Sequence, residues 1–402
     1  MKCVLTADRI TGAVNKEADP CENFYDYACG RWQMSHRPRH NLKYVSVFKQ
    51  TEADLKNKVI DLLMDAEGDD PLPVHLAKQL FTECMKTNLI ELLGLFPVKQ
   101  VLRKLGLPQD IPDGNSSSSL DLTQQLYAIH YHLPVPDALF QLGITVHPKN
   151  ETKKLLLYHH HHPRNYAALN IMGPDPESYL RRKKRSPVQY VMDELKYRTL
   201  ILEIFEYEKI KGAKYPESHI RTTAFKTLVF EAELMRLIPK RSTCKIVKLK
   251  ELQAATDRSW KNKQLKIDWK TLIQNLFNHV KKKIDTDYEV VTDALDFFNK
   301  FGRFFAKKDR QTVQLFIWWK VVDFLSAHGT RAMRDVRTIN DDNSDNDQDT
   351  VRSMECIKTV ENVVPLAVVY KLVTHPAVNV TKMKVEQMLS DIKESLMTKM
   401  ED

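Results

Sequence analysis

Apolar residues recur along most of this chain at the three-to-four spacing of an α-helix, and little interrupts them: 402 residues contain only 11 glycines and 18 prolines. So few turn-formers suit long helices better than a many-stranded β-fold. Phe48, Leu55, Val59 and Leu62 share one face of a predicted helix over 47–65. Leu76, Ala77, Leu80, Phe81 and Cys84 share a face of the next, which ends near Gly94 and Pro97. Val98, Val101, Leu102 and Leu105 predict a short helix closed by Gly106. Further helices are predicted over 190–207, 223–237, 290–305 and 311–325. The last two carry Phe297, Phe298, Phe304, Phe305, Trp318 and Trp319, a stripe that belongs to core packing far more often than to a ligand site. The period shortens to two at one place: Phe140, Leu142, Ile144 and Val146 alternate and, with Leu155–Tyr158, predict one small β-hairpin with Asn150 at its tip. The expected fold class is mainly α, a large helical domain with a small β-hairpin.

The length allows more than one domain. A hydrophobic fraction of 43% and a charged fraction of 28% are those of a soluble globular protein. The net charge of +9 would suit acidic partners or membrane surfaces, but 61 basic residues are interleaved with 52 acidic ones, which favours a solvated surface. No nucleic-acid motif occurs, and no run approaches the roughly 18 apolar residues of a membrane span. Residues 1–15 hold no stretch apolar enough for a signal peptide. The acidic run 341–349 lacks the glycine and terminal glutamate of a calcium-binding EF-hand loop and reads as a disordered insertion. The basic run Arg181–Arg185 reads as solvated surface. Asn115, Asn150 and Asn379 each open a glycosylation sequon. The six cysteines form no CxxC pair.

No catalytic or metal-ligating set can be assembled from the sequence. None of the 14 histidines begins an HExxH helix, in which two imidazoles one turn apart hold zinc and the glutamate activates water. His36 and His40 have that spacing, but Pro38 stands between them. The cluster His159–His162 has neither helix spacing nor a neighbouring glutamate base. No GxSxG elbow or phosphate-cradling glycine loop is present.

The stretch Asp19-Pro-Cys-Glu-Asn-Phe-Tyr-Asp-Tyr-Ala-Cys-Gly-Arg-Trp resembles the DPCxDFYxYACGxW signature of the neprilysin and endothelin-converting-enzyme family of zinc metallopeptidases, departing at Asn23 and Arg31. Locally it predicts a helix started by Pro20 and Cys21, packed along Phe24, Tyr27 and Ala28, and stopped by Gly30. Cys84 in Phe-Thr-Glu-Cys-Met, the segment Leu93–Gly106, Gly173-Pro-Asp-Pro-Glu-Ser-Tyr, the helix around Trp318, and Cys356 with Val360, Val364, Ala367 and Tyr370 resemble later family segments in order.

The resemblance implies a fold like the N-terminal lid region of neprilysin. It divides the chain into 1–32, which in the family packs with the catalytic domain; 33–380, the helical lid; and 381–402, a helix leading toward the catalytic half. It implies a Cys84–Cys356 disulfide, an extracellular setting (secreted or anchored) in which the three sequons are credible, and small extracellular peptides as partners. In the family the partners of Cys21 and Cys29 lie near the far carboxyl end. Eight residues of helix would hold these two about 12 Å apart, too far for a mutual disulfide. Lys43 aligns with an arginine that helps hold the substrate's terminal carboxylate. The zinc site, with HExxH and the downstream ExxxD, belongs to a catalytic half missing from these residues, so no cofactor is expected in this chain. The expectation is therefore the N-terminal part of a neprilysin-like zinc metalloendopeptidase, inactive alone; the alternative is an inactive, secreted relative that captures peptides or partners.

Overall fold

The computed structural model describes residues 2–36, 45–65, 70–113, 121–133, 138–147, 150–160, 187–207, 215–237, 245–258, 265–292, 295–338 and 348–401. In chain order its helices before the hairpin are α1 (Lys2–Ala13), α2 (Phe24–Ser35), α3 (Val47–Met64), α4 (Leu72–Met85), α5 (Thr87–Leu93), α6 (Phe96–Lys104) and α7 (Leu122–His132). Strands β1 (Phe140–His147) and β2 (Asn150–His160) follow, then α8 (Pro187–Tyr207), α9 (Glu217–Met235), β3 (Lys245–Lys248), α10 (Leu249–Asp257) and α11 (Trp269–Phe277). Beyond a short 3-10 turn, Asn278–Val280, come β4 (Glu289–Thr292), α12 (Leu295–Phe305), α13 (Arg310–Ser326), α14 (Arg331–Thr338), α15 (Gln348–Val363), α16 (Pro365–Thr374) and α17 (Pro376–Glu401). The fold is mainly helical, as the spacing predicts.

Helix ends follow local chemistry. The side chains of Ser46, Asp121, Asp268 and Asp309 each accept a hydrogen bond from a backbone N–H in the first turn of α3, α7, α11 and α13. Gly94 and Gly106 have φ of 57° and 68°, the left-handed backbone that lets α5 and α6 stop. At Gly106 the Leu107 N–H reaches back to the Leu102 carbonyl (2.8 Å), tying off α6.

The hairpin is real but is only half of its sheet. β1 and β2 pair antiparallel from Phe140–His160 onward, and the strand order β1-β2-β4-β3 adds two four-residue strands. β4 runs parallel to β2 and antiparallel to β3. The expected helix over 290–305 is thus corrected at its start. Residues 289–292 are extended, because long-range ladders on both sides satisfy their backbone, and α12 begins only at Leu295.

Two compact units are distinguished: Met1–Met85 with Asp342–Asp402, and Lys86–Asp341. In the first, Val59, Leu63, Val74, Ala77, Phe81, Ile357, Val360 and Val368 form a core where α15 and α16 pack on α3 and α4. In the second, α13 is buried on every side, and Trp269, Phe297, Phe298, Phe301, Phe305, Trp318 and Trp319 are all fully buried. The aromatic stripe is core. Two of the buried indole N–H groups have partners: Trp318 donates to the Pro108 carbonyl (2.8 Å) and Trp269 to Thr256 Oγ1 (3.0 Å).

Candidate functional site

The signature stretch forms a turn followed by α2. Asp19 Oδ1 accepts from the Cys21 N–H (2.8 Å), and Asn23 Oδ1 caps α2 by accepting from the Asp26 N–H (3.1 Å). The helix therefore starts at Phe24, not at Pro20, because the Asp19 turn holds Cys21 outside it. Nor does Gly30 stop it; α2 continues to Ser35. Gly30 is buried where Asn15 crosses, with the Asn15 N–H donating to the Tyr27 carbonyl (2.7 Å). A β-carbon there would lie 3.0 Å from Asn15 Cβ and press on the Asp26 carboxylate. This glycine serves close approach rather than termination. Tyr27 and Ala28 are half-buried, whereas Phe24 and Tyr25 stay 68% and 64% exposed.

The best-built constellation of the first unit joins α4 to α15 and α16. Cys84 and Cys356 are bonded (S–S 2.01 Å, Cα–Cα 5.7 Å). Beside them Arg352 donates from Nη2 (2.8 Å) and Nε (3.2 Å) to the Cys84 carbonyl. Asp70, its side chain only 7% exposed, accepts from Lys78 (2.5 Å) and Lys371 (2.6 Å). Hydrogen bonds from Lys371 and then Lys78 hold its carboxyl below the usual aspartate range. Cys21 is exposed and Cys29 half-buried, and both are free thiols. The helical separation supposed between them does not apply, since Cys21 precedes α2.

The other candidate residues are dispersed. Lys43, Asn115, His40, the runs 181–185 and 341–347, Gly173–Tyr179 and Cys244 lie outside the described residues. Asn150 opens β2, opposite His147, and Asn379 lies in the first turns of α17. His36, after α2, is stacked on Trp32 at 4.5 Å. Zinc ligation asks for three or more His, Cys, Asp or Glu side chains converging on one point. No such group exists among the described residues, so they do not fit a zinc centre.

Sequence reasoning passed over a buried ionic network in the second unit. Arg198 on α8 bonds Glu194 (Nε–Oε1 2.8 Å) and Glu231 on α9, and Lys320 on α13 lies 3.5 Å from Glu231. One turn away Tyr197 donates to Asp323 Oδ1 (2.6 Å), while Arg337 of α14 donates to the Asp323 carbonyl and to Ser326. Burial is the main force pushing the Glu194 carboxyl up, and burial followed by Asp323 pushes the Tyr197 phenol up. The signal was present as Glu194–Arg198 and Lys320–Asp323, opposite charges one helical turn apart. The network links four helices, α8, α9, α13 and α14.

Comparison with known proteins places this arrangement. The mouse membrane metallo-endopeptidase-like 1 is 23% identical over 326 residues, covering 80% of this chain and 41% of that protein. The mouse endothelin-converting enzyme-like 1 is 20% identical over 411 residues, covering 98% and 48%. The chain thus spans less than half the length of these relatives. The cryo-EM structure of the Mycobacterium tuberculosis zinc metalloprotease Zmp1 in its open state shares the fold with a TM-score of 0.64 at 16% identity, covering 94% of this chain and 54% of that one. The family model for the N-terminal part of peptidase family M13 matches residues 20–402, nearly the whole chain. This protein therefore belongs to peptidase family M13, of which it carries the N-terminal domain.

Proposed function

We propose that this chain is the N-terminal, non-catalytic part of a neprilysin-like zinc metalloendopeptidase that acts on small extracellular peptides. Its helical lid bounds the peptide chamber, and zinc and the water-activating carboxylate belong to the catalytic half. One observation carries the reading. Val385, Met388, Leu389, Ile392 and Leu396 form a stripe along α17 and are 44% to 58% exposed, in a chain whose match covers only 41% and 48% of these relatives. Burying such side chains is worth about 1.5–3 kcal/mol each, so a contiguous stripe of them marks an interface.

In this reading 1–32 and 381–402 meet the catalytic half, and 33–380 is the lid. Lys43 meets the substrate's terminal carboxylate as a point charge, without the fork an arginine would offer. The Cys84–Cys356 bond suits an oxidising, extracellular compartment, where Asn115, Asn150 and Asn379 carry glycans. Sequencing the full-length transcript tests this. An in-frame HExxH beyond the codon for Asp402 is the expected result. A stop codon there in abundant transcripts, with a signal peptide upstream, contradicts it and favours a secreted peptide-capturing protein.

A further inference from the structure

The end of α7 and the turn that follows α11 form one strongly basic surface in the second unit. Tyr131, 47% exposed, lies between two imidazoles, with ring centroids 4.8 Å from His132 and 5.0 Å from His279. Two residues past His279 come Lys281, Lys282 and Lys283, all exposed, and Lys104, exposed at the end of α6, is near enough for its charge to disfavour the His132 imidazolium after burial has done so. None of these four lysines makes an ion pair among the described residues; Lys282 instead sits 5.5 Å above the Tyr288 ring. Two acids lie nearby. Asp287 is already paired with Lys248 and Lys250, while Asp285 accepts the Asp287 N–H and offsets one charge of the triplet.

The turn is built rather than loose. Gln274 donates to Asn278 Oδ1 and to the Lys282 carbonyl (both 3.0 Å) and accepts from the Ile284 N–H (2.8 Å). Lys281 has φ of 53°, the only positive φ at a non-glycine among the described residues. Glycine or asparagine would enter that backbone region at less cost, so a lysine held there, at the head of a lysine triplet, invites a functional explanation.

We propose that this face binds a sulfated polysaccharide chain of the heparan type, its sulfates held by Lys281, Lys282, Lys283 and Lys104 and its sugar rings lying against Tyr131 and the flanking imidazoles. Sulfates stay ionised at every physiological pH and recur along a stiff chain, which matches several ammonium groups fixed on one surface. Insertion into a membrane would need an apolar face, whereas Val280 is the one large apolar side chain exposed in the turn. The inference rests on the extracellular setting of the proposed function, but not on the chain working as half of a peptidase.

The test uses the whole chain and a defined heparin dodecasaccharide, with affinity measured against ionic strength. The combined variant Lys281→Asn, Lys282→Ser, Lys283→Ser should lose roughly tenfold or more in affinity near physiological salt and show a shallower salt dependence. A matched variant, Lys196→Ser, Lys226→Ser, Lys300→Ser, removes the same charge from scattered exposed positions and should retain binding. Unchanged melting of both variants excludes loss of fold as the cause. Three outcomes overturn the proposal: equal losses in the two variants, which would mean diffuse net charge; no loss in the first; or binding to phosphatidylserine vesicles without binding to heparin.

Discussion

Asp70 shows how one carboxylate can organise a unit assembled from distant parts of a chain. It receives Lys78 from α4 and Lys371 from α16 while almost wholly removed from solvent. Asp70→Asn keeps the shape and loses the charge, and should cost about 1–3 kcal/mol in urea unfolding at neutral pH, as loss of charge-assisted hydrogen bonds does. The pH dependence has a definite sign. The folded carboxyl titrates below its unfolded value of about 4. Its contribution is therefore complete above that value and disappears as the pH falls through the lower, folded pKa. The stability gap between wild type and Asp70→Asn should narrow under acid; a gap that widens would rule out this role. At Gly30 the argument is steric. Gly30→Ala should destabilise by about 1–3 kcal/mol through overpacking and should speed hydrogen exchange of the Asn15 amide, which bonds to Tyr27. The glycine itself was legible in the sequence as part of the signature. Its purpose was not, because the crossing of the Asn15 segment is a tertiary fact.

Elements were legible in proportion to how local their causes are. The helices of the core announce themselves by spacing and by capping side chains, and Gly106 closes α6 as its sequence position suggests. β4 did not announce itself. Its four residues are held extended by β2 and β3, partners far away in sequence, and Val290 and Val291 look equally at home at the start of a helix. The helix of α17 was implied by the resemblance, whereas the exposure of its apolar stripe could be learned only from the structure. Because those side chains meet solvent, Leu389→Asp should change the unfolding free energy of the isolated chain by no more than about 0.5 kcal/mol. The same substitution in a longer form of the protein should impair its assembly. A marked loss of stability in the isolated chain would show that the stripe is already packed.

For the whole molecule, the Cys84–Cys356 bond closes a separation of 272 residues within a unit built from both ends of the described chain. On the chain-entropy model such a loop contributes about 5 kcal/mol, with wide scatter in measured cases. Reduction should therefore lower the melting temperature of the Met1–Met85 and Asp342–Asp402 unit and leave Lys86–Asp341 folded, giving two calorimetric transitions in place of one. A single unshifted transition would contradict it. That pairing came from family resemblance rather than from the spacing of the cysteines, and in the buried Glu194–Arg198–Glu231 network only the Glu194–Arg198 step is local, Glu231 coming from another helix. At this scale the proposed function holds that these residues form the lid of a peptidase whose metal centre lies in the catalytic half. The most direct check is the zinc content of the pure, folded chain together with its hydrolysis of small peptides. The expected result is no stoichiometric zinc and no cleavage; bound zinc at one equivalent, with chelator-sensitive hydrolysis that co-purifies with the chain, would contradict it.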